Sequence, residues 1–125
     1  MKSKTKKNFS SENKIKRAGV HLIVEFWGGK VIESVAEIKK ILFKTAKESN
    51  NTPIAVKIHK FNPQGLTGFI LLAESHISIH TWPELNYVAI DIFSCGRNSL
   101  PYKGLEYLKT IFKPKKVQVA EIKRG

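Results

Sequence analysis

Residues 74–84 concentrate side chains that could do covalent chemistry. The segment reads ESHISIHTWPE and holds serine hydroxyls, two imidazoles, an indole and two carboxylates, and Cys95 follows on the next predicted strand. Hydroxyl, thiol and imidazole groups are the ones that proteins use as nucleophiles and general bases. The segment therefore indicates an active site, and three kinds of site compete to explain it.

A metal site is the first alternative. His76 and His80 share a face of a predicted strand, but strand rise places them about 13 Å apart. The ligands of one metal ion must converge on it, and His59 and Cys95 would complete such a set only by coincidence. We therefore predict no metal site.

Nucleophilic hydrolysis is the second alternative, with Ser75 or Cys95 as the nucleophile and His80 as the base. The chain has no G-x-S-x-G motif, and no obvious acid stands beside either histidine of the segment to orient it. The co-occurrence of cysteine and histidine is by itself weak support for a hydrolase.

The third alternative is a resemblance. ESHISIHTWPE, followed by AIDIFSCG, is similar to the processing and active-site signature of the prokaryotic S-adenosylmethionine decarboxylases, the small pyruvoyl-dependent type used in spermidine biosynthesis. The likeness runs from GVHLIVEF at Gly19 through HKFNPQGLTG to the strand ending near Glu121. The ESH-x5-WPE string with a cysteine twenty residues after the serine is highly specific.

The resemblance implies that the protein breaks its own peptide bond between Glu74 and Ser75. In this family the serine hydroxyl attacks the preceding carbonyl, and an N-to-O acyl shift gives an ester. Loss of the serine α-proton then expels the carboxylate and leaves dehydroalanine, which hydrolyses to a pyruvoyl group and ammonia. The expected products are a chain of residues 1–74 and a chain of residues 75–125 that begins with the pyruvoyl group.

The chemical purpose of such a group is clear. Decarboxylation next to an amine needs an electron sink, which no protein side chain offers. A pyruvoyl ketone supplies the sink without pyridoxal phosphate, because it forms an imine (a Schiff base) with the substrate amine.

The resemblance also implies catalytic roles for three further residues. His80 matches the family's processing base, and Cys95 matches the proton donor of the decarboxylation. Thr67 stands where the family commonly has a serine that assists processing. The hydroxyl is kept, but the additional methyl group restricts its rotamer, so we expect slower processing.

Substrate contacts are implied in the same way. Phe61 and Trp82 match aromatic residues that contact adenine, and Glu84 matches an acid that binds the ribose hydroxyls. His21 and His59 lie off the motif, and we interpret both as structural. Some relatives of the family decarboxylate arginine or ornithine with the same machinery, so these substrates are the alternative to S-adenosylmethionine.

The elements that must position these residues follow from hydrophobic periodicity. Ser34 and Pro101 each carry a helix-start signal before an apolar stripe with helical spacing. The order β-α-β-β-β-β-α-β predicts an α+β fold, a two-layer α/β sandwich with an antiparallel-rich sheet and both helices on one face. The predicted strands are 19–26, 54–59, 66–72, 76–82, 87–94 and 117–121.

Two neighbouring strands alternate strictly between apolar and functional residues. The segment 76–82 places histidines, Ser78 and Trp82 on one face, and its isoleucines would pack under the helices. The opposite, half-polar face has no helix to cover it, so it needs a ligand, a partner subunit or both. A two-fold homodimer with active sites at its interface, as the resemblance implies, would meet that need.

Composition predicts a single domain of residues 18–125. The apolar content of 42% is typical of a globular protein, and no run is long and apolar enough to span a bilayer. Cys95 is the only cysteine and cannot form an internal disulfide, which favours a reducing cytoplasm and leaves a free thiol for chemistry.

The first 17 residues carry half of the net charge of +12, since seven lysine or arginine side chains face Glu12 alone. They include few apolar side chains and predict a disordered, solubilising tail. A basic nucleic-acid-binding module is the non-enzymatic alternative, but residues 18–125 carry no recognised nucleic-acid-binding motif. We therefore expect no nucleic-acid partner.

Overall fold

The computed structural model describes residues 18–125. The predicted tail, residues 1–17, lies outside the described residues. Strands β1 to β6 span Gly19–Trp27, Pro53–Lys60, Leu66–Leu72, His76–Trp82, Tyr87–Cys95 and Lys116–Arg124. Helices α1 and α2 span Val35–Glu48 and Pro101–Phe112, and a single 3-10 turn, Pro83–Leu85, joins β4 to β5.

The six strands form one sheet in the order β2-β3-β4-β5-β1-β6, and every neighbouring pair is antiparallel. Both helices contact strands of this sheet and each other. The predicted α+β sandwich is therefore confirmed.

Local signals explain where the helices begin. The Ser34 hydroxyl accepts the Glu37 backbone N–H at 3.1 Å, which satisfies one of the unpaired donors of the first turn of α1. Pro101 occupies the start of α2, where its missing N–H costs nothing. At Gly104 a Cβ would lie 3.2 Å from side-chain atoms of Thr45 and Ser49, so the glycine allows the two helices to approach closely.

The core lies between the helices and one face of the sheet. The isoleucines of β4 and β5 are at most 1% exposed, as the strand alternation predicted. Each such burial contributes about 1.5–3 kcal/mol. The core face of these strands comprises Ile77, Ile79, Ile90 and Ile92.

Two strands differ from the sequence prediction. Ile54 was predicted to share a face with Val56 and Ile58, but it is 59% exposed because a register shift interrupts the β2–β3 ladder at this point. Strand β6 extends to Arg124, because its whole length pairs with β1. Neither change moves the residues of the predicted site.

The sheet face opposite the helices, which we term the open face, is uncovered in the described residues. Besides the histidines of β4 it presents Phe69 and Leu71, which are 40% and 42% exposed. The expected half-polar, aromatic face is thus present.

Candidate active site

A cavity of about 270 Å³ opens beside the end of β4. Its wall brings together five of the residues that the sequence singled out, from the loop before β3, from β3, from β4 and from the 3-10 turn. These are Phe61, Thr67, His80, Trp82 and Glu84.

Antiparallel pairing explains the closest contact in this cavity. Thr67 and His80 are direct partners across β3 and β4, and the Thr67 hydroxyl lies 3.1 Å from His80 Nδ1. The hydroxyl is therefore placed to fix the orientation of the imidazole ring. The additional methyl group of threonine does not prevent this contact.

The rim of the cavity depends on a tight turn. The Phe61 N–H donates to the Gly65 carbonyl at 2.9 Å, which closes the loop. Gly65 has φ +93°, and a Cβ there would lie 3.0 Å from the Thr81 carbonyl oxygen, so only glycine fits easily. The turn leaves Phe61 49% exposed, so its ring is accessible to a ligand.

An aromatic row supports Trp82 from the neighbouring strands. Tyr87 stacks on Trp82 with a centroid distance of 5.3 Å and on Trp27 at 5.7 Å. Its hydroxyl donates to Glu25, and burial together with this bond raises the pKa of Tyr87 to about 12. No role at the site was predicted for Tyr87, which pairs with Trp82 across β4 and β5 and shares its face of the sheet.

The Glu74–Ser75 bond lies at the opposite end of β4. The Glu74 carboxylate accepts the Thr52 backbone N–H at 2.8 Å and the Thr52 hydroxyl at 3.0 Å. The backbone bond contributes most to lowering the pKa of Glu74, against the opposing effect of burial. Thr52 therefore anchors the residue that carries the carbonyl of this peptide bond.

Cys95 lies at the same end of the sheet. His76 pairs with Phe93 across β4 and β5, so the end of β5 runs alongside the turn that carries Glu74. A Cβ on Gly19 would come within 2.9 Å of the Cys95 sulfur and 2.7 Å of the Ser94 carbonyl oxygen. Gly19 thus leaves the space that the thiol occupies.

A buried amide holds the end of β5 in place. Asn51 Nδ2 donates to the Ser94 hydroxyl at 2.9 Å, and the Ser99 hydroxyl donates to Asn51 Oδ1 at 3.0 Å. Asn51 precedes Thr52, so two adjacent residues support both Cys95 and the Glu74–Ser75 turn. Such contacts between distant segments leave no pattern in the sequence.

The structure does not bring Ser75 and His80 together. They lie at opposite ends of β4, and His76 and His80 alone are separated by about 13 Å of strand. The imidazole beside Ser75 is that of His76, whose Nδ1 lies 3.3 Å from the serine hydroxyl oxygen. From the sequence, His76 was considered only as a metal ligand, and no catalytic role was predicted for it.

A polar cluster occupies the open face between these two ends. His21 Nε2 lies 2.9 Å from Asp91 Oδ1, and the Ser78 hydroxyl donates to Asp91 Oδ2 at 3.3 Å. His59, in contrast, is exposed, and its ring is T-shaped to that of Phe61 at a centroid distance of 4.7 Å.

Within residues 18–125, no three His, Cys, Asp or Glu side chains lie close enough together to hold a metal ion. Neither helix in this part of the chain has the length and apolar character needed to cross a membrane.

Comparisons with known proteins agree on one family. The sequence profile of S-adenosylmethionine decarboxylase matches residues 20–125. An S-adenosylmethionine decarboxylase proenzyme from Methanococcus vannielii is 46% identical, over 89% of this chain and 93% of that relative. One from Caldanaerobacter subterraneus is 38% identical, over 86% and 88%. The crystal structure of the adenosylmethionine decarboxylase from Aquifex aeolicus superposes with a TM-score of 0.82 at 36% identity, covering 89% of this chain and 93% of that one.

Proposed function

Because the chain belongs to the S-adenosylmethionine decarboxylase family, we propose that it is a proenzyme that cuts itself between Glu74 and Ser75 and then decarboxylates S-adenosylmethionine. The observation that carries the proposal is the cavity, which joins the Thr67–His80 pair to Phe61, Trp82 and Glu84. Decarboxylated S-adenosylmethionine is an aminopropyl donor, so the reaction would serve spermidine biosynthesis.

In the self-cleavage, the Ser75 hydroxyl attacks the Glu74 carbonyl carbon, and the acyl group moves from nitrogen to oxygen. An imidazole then removes the Ser75 α-proton, and the ester bond breaks. The chain of residues 1–74 leaves with the main-chain carboxylate of Glu74 as its new C-terminus. We assign this removal of the α-proton to His80. Thr52 would favour the attack by restraining Glu74.

The pyruvoyl group that Ser75 would become supplies the electron sink that the decarboxylation needs. Ser75 is suited to carry it, since it is half-buried in the turn before β4 and lies at the same end of the sheet as Cys95. The Cys95 thiol would return a proton to the substrate α-carbon after CO2 has left. Chemistry that needs this thiol reduced fits a cytoplasmic location.

The cavity would hold the nucleoside part of the substrate. Phe61 and Trp82 are 49% and 38% exposed there, and they offer flat apolar surfaces to an adenine ring. A sulfonium beside such faces also gains a cation–π attraction. Glu84, which now accepts a bond from Gln64 at 3.2 Å, would exchange it for the ribose hydroxyls.

A homodimer would complete the site. In this dimer the open faces of two protomers would pack against each other. A two-fold axis between the faces, perpendicular to β4, sets the Ser75 end of one protomer against the His80 end of the other. The axis would pass near the Ser78–Asp91 cluster, midway along the strand. Phe69 and Leu71, both partly exposed, would be covered by this packing.

This arrangement predicts complementation between two inactive chains. We expect chains with Ser75→Ala and chains with His80→Ala to remain uncut when expressed alone. Coexpressed with different tags, they should form mixed dimers in which the His80→Ala chain is cut, since its Ser75 meets the intact His80 of the other chain. Intact masses of doubly purified dimers measure this. If the site lay within one protomer, neither chain of the mixed dimer would be cut.

The choice of substrate is tested by CO2 release. The cut protein should release CO2 from carboxyl-labelled S-adenosylmethionine and not from arginine or ornithine. Glu84→Gln should raise the KM for S-adenosylmethionine about tenfold or more, by weakening the charge-assisted bonds to ribose. Activity on arginine or ornithine alone would overturn the substrate assignment and leave the self-cleavage standing.

A further inference from the structure

The side chain next to the proposed nucleophile has no role in the chemistry described so far. His76 Nδ1 lies 3.3 Å from the Ser75 hydroxyl oxygen. That is within the reach of a proton transfer once the contact tightens during reaction. Among the described hydrogen bonds, this is the contact that joins the Ser75 hydroxyl to an imidazole.

The neighbouring strands hold the His76 ring in place. The ring of Phe69 stacks on it with a centroid distance of 5.6 Å and an interplanar angle of 23°. Phe93 meets it edge-on at 5.9 Å and 72°. A ring fixed on two sides keeps Nδ1 directed at the hydroxyl, which costs less entropy than recruiting a mobile base.

The surroundings also favour the uncharged form of the ring. Burial is the main cause that lowers the pKa of His76, and the charges of His21 and Arg124 act in the same direction while Asp91 opposes them. The neutral imidazole is the form that can accept a proton.

We propose that His76 is the general base of the first step of self-cleavage, an inference that rests on the proposed function above. Nδ1 takes the proton of the Ser75 hydroxyl while the oxygen bonds to the Glu74 carbonyl carbon. The carbon–nitrogen bond of the peptide then breaks, and His76 returns the proton to the departing Ser75 nitrogen. The products are an ester and a free amine, and the imidazole is again neutral.

This role separates His76 from His80. The two steps remove protons from different atoms of Ser75, first from the side-chain oxygen and later from the α-carbon. His80 lies at the far end of β4 and bonds Thr67 through its Nδ1. Two imidazoles therefore act in sequence, His76 before the ester forms and His80 after it.

Hydroxylamine distinguishes the two stages, because it cuts esters and leaves peptide bonds intact. The His76→Gln chain should be cut about 100-fold or more slowly than the wild type, and hydroxylamine should not cut it faster. The His80→Gln chain should accumulate the ester, so hydroxylamine should release a fragment that begins with Ser75. Intact mass spectrometry follows both reactions over time.

Two controls separate chemistry from folding. The His76→Gln chain should melt cooperatively and keep the oligomeric state of the wild type, and in a His76→Gly chain added imidazole should restore the cut. The role of His76 is overturned if a folded His76→Gln chain is cut at the wild-type rate or stalls as the ester. It is also overturned if added imidazole does not restore the cut in the His76→Gly chain. If the wild type itself is never cut, the proposed function fails instead.

Discussion

The Ser75→Ala chain is expected to remain one uncut polypeptide with no decarboxylase activity. Alanine cannot attack the Glu74 carbonyl, so neither the ester nor the later elimination can occur. The loss should be complete, because without the cut there is no ketone to act as the electron sink. Intact mass and CO2 release from S-adenosylmethionine measure the two consequences.

Ser78→Ala is the matched control for this experiment. Ser78 lies on the open face of β4, but its hydroxyl donates to Asp91 at 3.3 Å and has no place in the proposed chemistry. That chain should still be cut. A Ser75→Ala chain that yields the same two fragments would mean that the hydroxyl of Ser75 is not the nucleophile.

The Cys95→Ala chain should be cut and yet decarboxylate poorly. In the wild type, the Cys95 thiol would act after CO2 has left, by donating a proton to the substrate α-carbon. Loss of a positioned proton donor lowers the rate about 100-fold to 10,000-fold. We therefore expect two fragments of normal mass together with a kcat lower by at least two orders of magnitude. Intact mass and single-turnover CO2 release on the same preparation measure both.

Gly19 offers an independent check on Cys95. A Cβ at Gly19 would lie 2.9 Å from the thiol sulfur. Gly19→Ala should therefore displace the thiol, which is still present, and lower kcat. Cys95→Ser, which keeps a hydroxyl donor, should retain more activity than Cys95→Ala. If Cys95→Ala and Ser75→Ala abolished the cut equally, the assignment of Cys95 to turnover alone would be wrong.

Sequence periodicity predicted the parts of the fold that local rules control. Strict alternation placed Ser78 and His80 on one face of β4 and its isoleucines on the other, and the isoleucines are buried as expected. The hydroxyl of Ser34 caps the start of α1 by accepting the backbone N–H of Glu37, which is close to it in sequence. Such features depend on neighbours in sequence, so composition and spacing are enough to predict them.

Contacts between distant segments could not be predicted from the sequence. Thr52 holds Glu74 across 22 residues, and Asn51 holds Ser94 across 43, yet nothing in the local pattern distinguishes these polar residues from ordinary turn residues. The bulge that exposes Ile54 depends on pairing with β3 and not on its own strand.

The division of the candidate site follows from the strand spacing that already separates His76 from His80 in the sequence. The motif places Ser75 and His80 five residues apart, and an extended strand turns that spacing into distance. The same geometry brings His76 beside Ser75 and sends His80 to the cavity. Two half-sites on one open face are what a two-fold dimer can join.

The intact mass of the purified protein tests the self-cleavage most directly. We expect two polypeptides, residues 1–74 and residues 75–125, with the second lighter by one ammonia than the same fragment beginning with serine. That mass would identify the pyruvoyl end as well as the position of the cut. A single species with the mass of the whole chain, unchanged after long incubation at the working temperature, would contradict the account.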